Sequence, residues 1–206
     1  MNSPEISKRQ CLLRVVAASG DNLETDEYII VVDLESTCDS GGRMTTNEFE
    51  LIEIGAVKVR LEDGEILSTF CSFVRPQNQP KLSEFCKQLT GIHQREIDGA
   101  ERFVHVLKEF QAWLNHPFWT WASWGDFDCT LLQRELERAG EDPIFAEHLN
   151  LKAIAKETWD LKKTGMKEAL KHQGLIPIGR HHRALDDAKS IAQLVPLLAP
   201  IFGERS

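Results

Sequence analysis

Two acids sit two positions apart in Asp33-Leu34-Glu35, at the end of an otherwise apolar run, Tyr28-Ile29-Ile30-Val31-Val32. In an extended chain such residues share a face, so both carboxylates project together from the carboxyl end of a strand, where sites recur in α/β sheets. Holding two like charges beside a core is costly unless a cation neutralises them; the plainer alternative is a strand end whose acids are solvated. A second acidic segment, Gly125-Asp126-Phe127-Asp128, opens a helical pattern. Either acid there could serve only as a cap or as a favourable charge at a helix start; the expected division has Asp126 capping while Asp128, inside the first turn, turns its carboxylate toward the strand ends. The third segment is His182-Arg183-Ala184-Leu185-Asp186-Asp187, opening the last helical pattern. His182 falls just ahead of that helix, where its imidazole can take a proton from water near neutral pH, and Asp187 is fixed on the helix.

Each segment alone is ambiguous, but together they supply what phosphodiester hydrolysis needs. Two divalent ions about 4 Å apart stabilise the attacking and leaving oxygens, and four carboxylates suffice to hold them. The three segments offer that many carboxylates, and the histidine completes the set as general base.

These residues must be gathered by a fold. Tyr28–Asp33 is β-branched and reads as a buried central strand. Leu51–Val59 and Ile66–Val74 read as two further strands with an Asp63-Gly64 turn between them, which makes the first three strands an antiparallel meander. Pro76 and Pro80 break the chain before helical stretches at Leu82–Leu89 and Phe103–Leu114. A short aromatic strand follows at Trp119–Trp124. Helices are then expected at Phe127–Ala139, stopped by Gly140, at Met166–Lys171 and at Ala184–Leu198. The expected fold class is α/β: a mixed sheet of three antiparallel strands plus parallel strands, flanked by helices.

Composition agrees with one folded domain. The chain has 206 residues, 42% hydrophobic and 27% charged, which excludes disordered and fibrous classes. Residues 1–26 lack periodicity and read as an N-terminal extension to a domain over 27–206. A net charge of -8 argues against a protein that coats nucleic acid by general attraction, although it suits a site holding hard cations on oxygen ligands. The five cysteines form no C-x-x-C pair, so neither a zinc framework nor a disulfide framework is expected. With no signal peptide and no membrane span in view, the expected location is cytoplasmic. One basic stretch stands out in residues 160–183, six Lys or Arg against two acids; it reads either as a guide for a phosphate backbone or as a solvated face.

The order D-x-E, then D, then H-x-x-x-x-D resembles the DEDDh exonucleases, the RNase T and proofreading group, whose fold is ribonuclease H-like. The resemblance runs from Tyr28 to the last helix. Within that group Asp33–Cys38, Leu51-Ile52-Glu53-Ile54-Gly55, Leu89-Thr90-Gly91-Ile92 and His182–Asp187 look most like the Eri-type branch. The resemblance implies a 3′-to-5′ exonuclease with two Mg²⁺ or Mn²⁺ ions on Asp33, Glu35, Asp128 and Asp187, Glu35 and His182 being catalytic. His182 is preferred to His181 because only it has the family spacing to Asp187, and Asp186 becomes a neighbour. It also implies that Leu34, Ser36 and Thr37 meet the terminal sugar, that Phe127 stacks on a base and that Ile92 is an apolar wedge, core packing being the alternative for the last two. The implied partner is the 3′ end of a single-stranded nucleic acid, RNA before DNA. A regulatory or catalytically silent protein of the same fold is the competing expectation.

Overall fold

The computed structural model describes residues 28–41, 44–115 and 120–202; the expected extension over 1–26 lies outside them. Strands β1 (Tyr28–Ser36), β2 (Leu51–Arg60) and β3 (Ile66–Phe73) form the antiparallel meander. β4 (Thr120–Ser123) and β5 (Glu147–Asn150) extend the sheet in parallel beyond β1, giving the order β3-β2-β1-β4-β5. The helices are α1 (Glu84–Thr90), α2 (Gln94–Asp98), α3 (Phe103–Leu114), α4 (Phe127–Ala139), α5 (Leu151–Thr158), α6 (Met166–His172), α7 (Ala184–Ala192) and α8 (Val195–Phe202).

The alternation along β1 decides what each face does. Ile29 and Val31 join Val57 and Val59 under α5, α6, α7 and α8. Ile30, Val32 and Leu34 face the other way, under Val106, Leu107 and Phe110 of α3 and Leu131, Leu132 and Leu136 of α4. Each such side chain withdrawn from water contributes about 1.5–3 kcal/mol, so a one-residue slip of β1 would be strongly disfavoured. Asp33 and Glu35 therefore share the face of Ile29 and Val31, the face on which α7 packs. A smaller cluster of Ile52, Leu82, Cys86, Ile92 and Ile97 closes the end near α1 and α2.

The expected single helix over Ala184–Leu198 is two helices, α7 and α8. Pro196 is the reason: it has no N–H to give to the carbonyl of Ala192, and its ring crowds that carbonyl. The face expected from Ile191, Leu194, Val195 and Leu198 is nonetheless fully buried. Four elements were not expected: a short 3-10 helix at Thr46–Glu48, then α2, α5 and β5. The last, Glu147-His148-Leu149-Asn150, is a half-buried edge strand with no apolar alternation to reveal it. Its final residue doubles as the cap of α5, with Asn150 Oδ1 accepting the N–H of Ala153 at 2.9 Å.

Candidate active site

Parallel pairing between β1 and β4 covers only Ile30 and Val31, and β4 ends at Ser123. The last residues of β1 therefore run past their neighbour. The Leu34 N–H is instead taken by Asp128, whose Oδ1 accepts it at 2.9 Å. Asp128 stands in the first turn of α4 and is buried. Asp126 occupies the N-cap position, but its side chain makes no capping bond, contrary to expectation; its carbonyl accepts the Thr130 N–H and hydroxyl.

On the other face, the start of α7 lies directly on β2. A methyl group at Gly55 would stand 2.1 Å from the Ala184 carbonyl carbon and the Leu185 nitrogen, so no side chain fits there. Beside it, Glu53 is 1% exposed and holds the helix start by its carboxylate. It accepts the Arg183 guanidinium at 2.7 Å and the Ala184 N–H at 3.0 Å, the charge-assisted partners a buried carboxylate requires. Asp187, one turn into α7, accepts the backbone N–H of His182 at 2.9 Å and Nδ1 of His181 at 2.9 Å. Asp186 turns away, to the backbone N–H of Arg180.

Carboxylate oxygens of Asp33, Glu35 and Asp187 lie within 4.8 Å of one another. Asp128 is close enough to act on them electrostatically. Burial, followed by the charges of Asp128 and Glu35, holds the Asp33 carboxyl well above the ordinary carboxylate range. Burial and then Asp187 push Glu35 up to about 8, and burial pushes Asp128 up to about 6 against the opposing hydrogen bond from Leu34. Among the described residues no Lys or Arg forms an ion pair with Asp33, Glu35, Asp128 or Asp187; the Arg183 guanidinium is spent on Glu53. Four acids gathered without a cation of their own fit a divalent metal, for which hard carboxylate oxygens are the preferred donors. The His182 ring is half-buried and makes no hydrogen bond among the described residues. Its pKa is lowered by burial first and by His181 second.

The four expected metal ligands are thus brought together with His182, while the expected nucleotide contacts divide. Phe127 is 42% exposed, with the ring of Phe49 6.4 Å away. The side chains of Leu34, Ser36, Thr37 and Ile92 are buried. Leu34 packs under α4, the Thr37 hydroxyl accepts the Glu50 N–H at 2.9 Å, and Ile92 lies in the apolar α1–α2 cluster. Sequence reasoning missed the positioning roles of Glu53, Gly55 and Arg183. The signal for Glu53 and Gly55 was present in Leu51–Gly55, whose motif includes an acid and a glycine inside an otherwise apolar strand.

Comparison with known proteins agrees with this geometry. Residues 30–195 match the model of the RNase_T family, described as exonuclease, and the chain belongs to that family. It is 30% identical over 192 residues to the 3′-5′ exonuclease Snipper of Drosophila melanogaster, covering 82% of this chain and 68% of that protein. It is 31% identical over 192 residues to ERI1 exoribonuclease 2 of Xenopus laevis, covering 82% of this chain but only 28% of the relative's length. Among solved structures, the nuclease domain of 3′hExo, a DEDDh family member bound to rAMP, superposes with a TM-score of 0.77 at 28% identity, over 86% of this chain and 94% of that one. The mixed sheet flanked by helices is accordingly the ribonuclease H-like fold of DEDDh nucleases.

Proposed function

We propose that this domain is a divalent-metal-dependent 3′-to-5′ exonuclease that hydrolyses the terminal phosphodiester of single-stranded RNA and releases nucleoside 5′-monophosphates. The observation that carries this reading is the convergence of Asp33, Glu35, Asp128 and Asp187, from three separated segments, into one acidic cage beside His182. When bound, two magnesium or manganese ions held by these four residues supply charge neutralisation to the attacking and leaving oxygens. His182 accepts the proton of the attacking water at a ring nitrogen, and its lowered pKa keeps that nitrogen free near neutral pH. His181 is the weaker candidate for this task, since only His182 has the family spacing to Asp187. Asp187 carries a second duty, because its bond to the His182 N–H fixes the backbone that presents the base.

Phe127 offers an exposed face on which the terminal base stacks, worth about 1–3 kcal/mol and indifferent to sequence. Backbone groups of Leu34, Ser36 and Thr37 meet the terminal sugar, their side chains being buried. The exposed residues Lys162, Lys163, Lys167 and Lys171 guide the phosphate backbone; Arg183, expected among them, serves Glu53 instead. The preference for RNA rests on the exoribonucleases among the relatives, such as ERI1 exoribonuclease 2. Among the described residues no helix is long and apolar enough to cross a membrane, and Cys38, Cys71, Cys86 and Cys129 are free thiols. Both suit the reducing cytoplasm.

The test is a 5′-labelled RNA oligonucleotide incubated with Mn²⁺ and wild-type or Asp33→Ala protein. Stepwise shortening from the 3′ end by wild type only is expected. Equal behaviour of the two proteins removes the enzymatic reading.

A further inference from the structure

The segment ahead of α7 has an unusual conformation. His182 is a non-glycine residue with φ of +64°, a left-handed backbone that costs roughly 1 kcal/mol and is worth maintaining only where the surroundings fix it. Its consequence is geometric. In an extended chain His181 and His182 would point to opposite sides; here their rings lie with centroids 4.0 Å apart and 32° from parallel. Both rings are half-exposed, and Nδ1 of His181 lies 2.9 Å from an Asp187 carboxylate oxygen. One nitrogen of each ring and one oxygen of Asp187 lie within 4.8 Å of one another. Donors around a tetrahedral zinc ion sit at about 2.0–2.2 Å from it and so roughly 3.4 Å from one another. Side-chain rotation that turns the two ring nitrogens toward a common point would bring these three to that spacing and leave a fourth position for water.

We propose that His181, His182 and Asp187 form a site for zinc or a similar nitrogen-preferring transition metal, separate in its donor chemistry from the carboxylate cage, and that filling it switches the nuclease off. Magnesium prefers all-oxygen donors and has little use for two imidazoles, whereas zinc binds them well. Occupancy takes two groups from the reaction: the His182 nitrogen that accepts the proton from water, and the Asp187 carboxylate shared with the cage. His181 has no part in the proposed cleavage, so it is the residue that makes this a zinc site. The inhibitory consequence rests on the exonuclease reading above, while zinc binding itself does not.

Two measurements on the full chain separate these. In the first, zinc affinity is read by competition with a chromophoric chelator, and Co²⁺ binding by its visible absorption, for wild type, His181→Asn, His181→Leu and Asp33→Asn. Changes outside the first ligand sphere already cost zinc sites about 10–100-fold, so both His181 variants should bind zinc at least about tenfold more weakly, while Asp33→Asn retains wild-type affinity. Equal affinity in wild type and both His181 variants overturns the site, as does a loss confined to Asp33→Asn, which would put zinc in the carboxylate cage. In the second, RNA cleavage in excess Mg²⁺ is titrated with zinc, each protein being normalised to its own zinc-free rate. Half-inhibition should move to at least about tenfold higher zinc in the His181 variants; coincident curves overturn the switch. Wild type that fails to cleave without zinc would sink the exonuclease reading, with the binding measurement still deciding the site.

Discussion

Glu35→Gln should make the metal-free protein more stable, and the gain should depend on pH. Glu35 is 8% exposed, and its carboxyl is raised from 4.5 to about 8 by burial and by Asp187. A group whose folded pKa is raised favours folding when protonated; that contribution is complete below 4.5 and is lost as pH rises through about 8. At 1.36 kcal/mol per tenfold, the full loss is about 5 kcal/mol. Four neighbouring acids give up their protons in shared steps, so a single neutral substitution recovers part of this, about 2 kcal/mol. For a chain of this length that is a rise in Tm of roughly 4–8 °C. The assay is thermal unfolding in a chelator at pH 4.5 and at pH 8, with and without Mg²⁺. The glutamine variant should melt higher than wild type at pH 8 and nearly level with it at pH 4.5. Adding Mg²⁺ should reverse the order, because wild type gains more from a ligand that binds only its folded form. A variant that melts lower than wild type in chelator at pH 8, or a gap that ignores pH, would refute the picture of an uncompensated acidic cage.

The other expectations concern what positions the cage. Gly55→Ala places a methyl 2.1 Å from the backbone of α7; denaturant unfolding should report a loss of about 1–3 kcal/mol, and the rate should fall further than stability alone explains, since Asp187 moves with the helix. Arg183→Ala leaves the buried Glu53 carboxylate with the Ala184 N–H but no guanidinium, and a cost of about 2 kcal/mol in the same measurement is expected; an unchanged midpoint would mean the pair does not hold α7. His182→Ala should lower kcat by about 10²-fold or more while magnesium still stabilises the protein in a melt, and His181→Ala should lower it much less. Equal losses would mean that the base has been assigned wrongly.

The parts of this molecule legible in the sequence are those whose pattern is local. Residues spaced by two in β1 reveal which face Asp33 and Glu35 share, and the 3.6-residue rhythm marks α3 and α4 to the residue. Pro196 was equally visible, yet the apolar stripe running through it concealed the break between α7 and α8. β5 is short, polar and at the sheet edge, and its strand character comes from pairing with β4, which no local pattern encodes. The same division runs through the site. The candidate ligands are recognisable because acids at a strand exit and at helix starts are conspicuous against apolar neighbours. Ile92 and Thr37, by contrast, are placed by contacts formed across the fold, and both proved buried.

What gathers the site is least visible of all, and it rests on a conflict between charges. Glu53 faces Glu35 across the β1–β2 register, so it adds to the repulsion that raises the Asp33 and Glu35 carboxyls. A fifth acid at this place is unfavourable for the cage unless it does something the cage needs. Its bonds to Arg183 and the Ala184 N–H supply that reason, for they fix the start of α7, and the absent side chain of Gly55 lets the helix come close enough for Asp187 to reach the exit of β1. Arg183 neutralises Glu53 and thereby leaves the inner four acids as the groups still lacking a cation. The positive charge of the last helical segment is thus directed away from the cage, which keeps the cage's demand for divalent ions intact.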